Sequence, residues 1–159
     1  AVGSVDRVIS SPLQRARETA AAFGTEVEID DRWIEVDYGS LDGMPLGQVP
    51  AEDWAAWRSD PDFAPPGGES LRALGVRVAA ALEDLATHAS ATERTTVIVT
   101  HVSPIKAAMC WALGADDLTA WRLWVAPASI TRIGTTPRGG VVHTFNEIAH
   151  LTAAGLTGN

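Results

Sequence analysis

Cysteine is nearly missing from this chain: Cys110 is the only one in 159 residues. A single thiol excludes an intrachain disulfide and a cysteine-cage zinc site. Basic charge is also scarce, with 12 Lys and Arg against 20 Asp and Glu and a net charge of −8. Nucleic-acid backbones are gripped by clustered Lys and Arg, so nucleic acid is not an expected partner. One small phosphate is a different matter, because two or three placed cations and some backbone N–H groups hold it whatever the overall charge. No apolar run approaches the roughly 18 residues of a membrane span, and no basic, apolar leader is visible. No Asp/His/Glu cluster has metal-ligand spacing, so neither a metal nor another cofactor is expected. Together these absences predict a protein of a reducing, cytoplasmic compartment with no membrane partner.

What is present is globular: 46% of residues are hydrophobic and 20% charged, in a length suited to a single domain spanning 1–159. The β-branched run from Val5 to Ser10 predicts a buried strand. Pro12 suits a first helical position and Ser11 a cap, so a helix is predicted from Leu13 to Phe23. Glu26 to Ile29 alternates as a short strand does. From Asp30 to Pro50, and again from Ser59 to Gly68, glycines and prolines predict long ordered loops around a short helix at 51–58. Leu71, Leu74, Val78, Leu82 and Leu85 form one apolar stripe, predicting a helix from Ser70 to His88. The run TTVIVT, Thr95 to Thr100, reads as a strand buried on both faces, followed by a helix to Leu113. Ala128 to Ile133 and Val141 to Phe145 predict a closing hairpin. Strands and helices in this order imply an α/β fold, a three-layer sandwich with a mainly parallel sheet and one antiparallel edge.

Two segments share one local design. In VDRVISSPLQRA and in TTVIVTHVSPIKA a buried strand runs into a Ser-Pro helix start. Ligands of open α/β sheets collect at the carboxyl ends of strands, where helix N-termini present free N–H groups. The first unit offers Arg15 and the second His101. Taken singly, Arg15 reads as a solvated helix-surface arginine and His101 as a strand-end histidine satisfied by a carbonyl. Taken as a pair on neighbouring strands, they converge on a pocket the size of an anion.

Four segments, in order, resemble the motifs of the histidine phosphatase (phosphoglycerate-mutase-like) superfamily. ISSPLQRARETA resembles its S-x-x-x-R-A-x-x-T-A motif, RWIEVDYGSLDG its E-x-x-x-G-x-x-x-G segment, PPGGES the loop before its long helix, and IVTHVSPIKA the turn bearing its second histidine. The resemblance implies that Arg15 holds phosphoryl oxygens, with Ser11 and the Val102 backbone N–H lining the same phosphate site. It implies that His101 donates to those oxygens, and that Glu35 protonates the leaving alkoxide and then deprotonates the attacking water. Two features depart from the family pattern. Val102 stands where a glycine is common, narrowing the approach to its N–H. The opening Arg-His-Gly motif, which carries the phosphoryl-accepting histidine, is absent: the four histidines are His88, His101, His143 and His150. A central strand bearing that motif is expected to precede Ala1, so the domain reads as N-terminally incomplete and inactive by itself.

The resulting expectation is a phosphomonoesterase that works through a phosphohistidine on a small phosphorylated metabolite. Phosphoglycerate-mutase-type transfer is one alternative, and a non-catalytic phosphate-binding or dimerisation module is the other. Glu35 and His101 are only 66 positions apart, too few for the long insertion of the true mutases, which favours the phosphatase. The residues that select the substrate belong to the loops around 41–66. Trp54 and Trp57, at helical spacing, read as ordinary packing rather than as an apolar lid. Trp111, Trp121 and Trp124 read as core or as the face of a homodimer, Cys110 as a buried small hydrophobe, and His88 and His143 as structural. Lys106 reads either as a cation for an anionic substrate or as a solvent-facing helix residue.

Overall fold

The computed structural model describes residues 2–88, 94–136 and 139–156, with only the backbone of Leu46 and His88. The fold is α/β, as predicted, built on a parallel sheet. Strands β1 (Arg7–Ser10), β2 (Val27–Ile29) and β3 (Thr96–Val99) pair in the order β2-β1-β3. Helix α1 (Gln14–Ala21) follows β1 and packs on that sheet. Helix α2 (Ala51–Ser59) interrupts the long loops, while α3 (Leu71–His88) and α4 (Val102–Leu113) pack against each other. A hairpin, β4 (Ile130–Thr136) with β5 (Gly139–Glu147), and a short helix α5 (Ala149–Ala153) complete the described chain. No described helix is long and apolar enough to cross a membrane.

The stripe of α3 explains the core. Leu71, Leu74, Val78 and Leu82 are buried and join Ile9, Trp33, Val36 and Trp57 in one cluster, with Leu85 packed at its margin. Cys110 is buried and bonded to nothing covalently, as a small apolar side chain, and burial raises its thiol pKa. Trp111 and Trp121 pack against the core, whereas Trp124 is 61% exposed.

Three expectations change. Ser11 does not cap α1: the cap position is Leu13, without a side-chain cap, because the Ser11 hydroxyl is engaged by His101 at 2.7 Å. The hairpin forms its own two-stranded sheet rather than an edge of the parallel one. And β3 is only partly buried along its length. The last two differences share a cause. Among the described residues, the outer edges of β3 and β4 pair with no further strand, and a slot of about 360 Å³ separates them. Thr96, Ile98 and Thr100 line one side of it and Thr131, Ile133 and Thr135 the other, over Leu82 and Leu85 of α3.

The long loops are rigid where two motifs meet. Backbone φ at Gly39 is +52°, and a Cβ there would lie 2.5 Å from both the Gly68 nitrogen and the Pro66 oxygen. A Cβ on Gly68 would in turn lie 2.7 Å from the Asp37 oxygen. The contact is sealed by N–H groups of Ser40 and Glu69 donating to Pro66 and Asp37 carbonyls at 2.9 and 2.8 Å. Glycine alone tolerates both the positive φ and the approach. Gly39→Ala is therefore expected to lower the melting temperature by at least about 2 °C, from a left-handed backbone cost of about 1–2 kcal/mol before any clash is counted. A thermal melt indistinguishable from the parent protein would disprove this account of the loop contact.

Candidate phosphate-binding and acid–base site

The parallel register aligns Ser10 with Val99, so β1 and β3 end level with each other. The ladder runs one residue further, where the Ser11 N–H donates to the Val99 carbonyl at 2.9 Å. The two Ser-Pro turns therefore lie side by side. His101, the residue before α4, has its Nε2 2.7 Å from the Ser11 hydroxyl, and both side chains are buried. The same hydroxyl accepts the Leu13 N–H at 3.3 Å. Arg15 stands in the first turn of α1, exposed; its carbonyl accepts the Thr19 hydroxyl at 3.0 Å, while its guanidinium forms neither a hydrogen bond nor an ion pair with another described residue. Its charge nonetheless reaches His101. Burial first, and Arg15 second, push the imidazole below its ordinary value of 6.5, with Glu35 pulling the other way.

Glu35 approaches from the loop between β2 and α2. Its Oε1 accepts N–H groups from Val36 at 2.8 Å and from Ser103 at 3.2 Å. Ser103 belongs to the first turn of α4, where backbone N–H groups lack intrahelical partners and the helix dipole favours negative charge. A carboxylate is thus moored at a helix N-terminus beside a buried histidine. Val102 opens the same helix with a side chain 40% exposed, so its methyl groups point outward rather than being packed into the turn.

The structure brings Ser11, Arg15, Glu35, His101 and Val102 to one end of the sheet; the sequence pattern points to the pairing of Arg15 with His101, and the resemblance to the other three. It adds residues that carry no local signal. Arg77 of α3 forms a two-pronged ion pair with Glu69, at 2.7 and 2.8 Å. Its other N–H groups donate to the backbone carbonyls of Arg32 at 2.6 Å and Glu35 at 3.4 Å. The Thr100 hydroxyl donates to the Trp33 carbonyl at 2.6 Å. These three contacts hold the Glu35 loop against the strand that delivers His101. Tyr38 shares a side-chain hydrogen bond with Ser103, and burial, reinforced by the Glu35 charge, raises its pKa. Lys106, one turn after Ser103, is half-buried, and burial lowers its pKa while Glu35 opposes the shift. His143 is exposed on β5, and the His88 side chain lies outside the described residues.

Chemically, the arrangement offers an exposed guanidinium, an imidazole, a helix N-terminus and a carboxylate around one small volume. That combination binds a tetrahedral oxyanion and moves a proton next to it.

Comparison with known proteins agrees with this geometry. The sequence pattern of the histidine phosphatase superfamily (branch 1) matches residues 2–148. Phosphoserine phosphatase 1 of Hydrogenobacter thermophilus is 34% identical over 155 residues, covering 92% of this chain and 72% of that protein. A probable phosphoglycerate mutase of Salmonella choleraesuis is 31% identical over 167 residues, covering 96% of this chain and 76% of that protein. Among solved structures, a mutant phosphoserine phosphatase from Entamoeba histolytica in complex with phosphoserine superposes with a TM-score of 0.81 at 25% identity, covering 92% of this chain and 76% of the other. The chain belongs to the histidine phosphatase superfamily, as a phosphatase-type member of its first branch.

Proposed function

We propose that this chain is the larger part of a single-domain phosphomonoesterase that works through a phosphohistidine on a small phosphorylated metabolite. The observation that carries the proposal is the meeting of Arg15, Ser11 and His101 with the Glu35 carboxylate at the N-terminus of α4. Arg15 grips the phosphoryl oxygens with a planar fork suited to them. His101 and the Val102 N–H donate to the oxygens that gain charge in transit.

The nucleophile is a histidine on a segment outside these 159 residues. Support comes from the slot of about 360 Å³ lined by both β3 and β4, whose facing edges pair with no further strand among the described residues. A strand there would end beside His101. In the first half-reaction the incoming imidazole nitrogen bonds to phosphorus, the ester P–O bond breaks, and Glu35 gives its proton to the departing oxygen. In the second, Glu35 takes a proton from water, the water oxygen bonds to phosphorus, and the P–N bond breaks to release inorganic phosphate. The short connection between Glu35 and His101 favours hydrolysis over mutase transfer, since no long insertion closes over the site.

Glu35→Gln in the full-length protein is expected to lower kcat/KM for an alkyl phosphate by about 10²–10⁴-fold. The loss in the first half-reaction is expected to be smaller for p-nitrophenyl phosphate, whose phenolate departs without a proton. Unchanged alkyl phosphate hydrolysis would refute the acid–base role. Phosphate binding without any turnover by the parent protein would favour the non-catalytic module instead.

The electrostatics of His101 make a separate prediction. Its lowered pKa means that the folded protein resists protonation there while the unfolded chain accepts a proton near pH 6.5. The contribution to stability is therefore complete above pH 6.5 and lost as pH falls below it. An NMR titration of the imidazole is expected to give a midpoint below 6.5, and inorganic phosphate is expected to raise it by placing negative charge beside the ring. A midpoint indifferent to phosphate would remove His101 from the phosphate site.

A further inference from the structure

A separate cavity opens beside the Glu35 loop. It holds about 380 Å³, within the range of about 300–1,000 Å³ that accommodates ligands well beyond a few atoms. Its wall begins with Val36 and Ser103, the two residues whose N–H groups moor the Glu35 carboxylate. The cavity therefore adjoins the residues that hold the Glu35 carboxylate, and neither Arg15 nor His101 is part of its wall.

Its chemistry is aromatic. Trp54 and Trp57 of α2 meet Trp121 at ring separations of 5.8 and 5.7 Å, and Tyr38 meets Trp57 at 5.7 Å, edge to face in each case. The four rings all line the cavity. Trp57 is the buried root of the cluster, whereas Trp54 and Trp121 are partly exposed. Trp121 is held in place by its indole N–H donating to the Trp57 carbonyl at 2.9 Å. Such rings gain most from a flat apolar partner removed from water with them. Lys106 is the only cation among the lining residues, half-buried, and its ammonium is engaged in neither a hydrogen bond nor an ion pair with a described residue. Asp42 and Asp117 also line the cavity, an arrangement poorly suited to a small alcohol bearing its own carboxylate.

We propose that this cavity receives the alcohol half of the substrate, and that this half is a large, flat, mainly apolar group carrying a hydrogen-bond acceptor for Lys106. The inference rests on the phosphomonoesterase reading for the position of the phosphate, and on the cavity for the class of alcohol. It separates this protein's substrate from short charged phosphates such as phosphoserine. The selection acts as discrimination between apolar leaving groups, where buried ring area sets the preference and no new catalytic group is needed.

The test compares alkyl esters of similar leaving-group acidity, so that bond strength does not mask the pocket. With the full-length protein, 2-(1-naphthyl)ethyl phosphate is expected to exceed ethyl phosphate and O-phosphoserine in kcat/KM by about 100-fold, an increment in keeping with burial of one bicyclic ring. Trp121→Ala is expected to shrink that ratio by about tenfold. Trp54→Ala is a second variant on the exposed side of the cluster, should Trp121→Ala not fold. The free alcohol 2-(1-naphthyl)ethanol, which no phosphatase step touches, is expected to change the intrinsic tryptophan fluorescence saturably and to lose that effect in either variant. Equal turnover of all three esters would overturn the substrate class while leaving the phosphomonoesterase reading intact. Binding of the alcohol without turnover of any ester would support the cavity's preference and count against that reading. Absence of both preference and alcohol binding would overturn the inference.

Discussion

Everything at the site depends on the register between two parallel strands. With Ser10 opposite Val99, the turns after β1 and β3 emerge at the same height, and Ser11 and His101 share a hydrogen bond although 90 positions separate them. A slip of one residue would send alternate side chains to the other face of the sheet. Arg15 would then rise from the wrong turn of its helix, and the imidazole would lose both its hydroxyl partner and the guanidinium that, after burial, helps to lower its pKa. The buried residues Val8 and Ile9 face opposite sides of β1, so such a slip would exchange them between two differently shaped faces of the core and disturb the packing on both. Core packing and site assembly are thus one constraint seen from two sides.

Around that register, the rest of the site is held by backbone rather than by side-chain pairing. Arg77 reaches two carbonyls of the Glu35 loop while its charge is satisfied by Glu69, and Thr100 grips the carbonyl of Trp33. A loop anchored through its main chain keeps its carboxylate at a constant height above α4 whatever side chains it carries elsewhere. Helix α4 touches both regions. Its N-terminal Ser103 N–H donates to the Glu35 carboxylate, while Ser103, Lys106 and Cys110, one turn apart, form part of the aromatic cavity's wall. The Glu35 carboxylate and the cavity are thereby referenced to a single rigid element.

The element order was legible in the sequence because it rests on local periodicity: the apolar stripe of α3, the β-branched runs of β1 and β3, and the Ser-Pro turns. The convergence of Arg15 and His101 was legible because the same strand-to-helix design occurs twice. Glu35 was legible only through family resemblance, since a carboxylate in an irregular loop leaves no periodic trace. The Arg77–Glu69 clamp was invisible for a related reason: its decisive partners are carbonyl groups, which every residue possesses. Trp54 and Trp57 were legible as packing, and Trp57 does lie in the core. That the same rings also line a cavity was not legible, because Trp121, which packs against both, arrives from a remote segment. The separation of the hairpin from the parallel sheet was also illegible, because pairing between distant edges is a property of the assembled sheet and not of either strand.

The back-to-back glycines of the two loops bear on how such an enzyme changes over generations. Gly39 and Gly68 leave no room for a side chain at their junction, so the segment that carries the carboxylate and the segment that leads into α3 are joined as one mechanical part. Drift in either backbone alone is barred by its partner. Inherited change in this region is therefore confined to positions whose side chains point away from the junction, and the Glu35 loop and the approach to α3 can move only together.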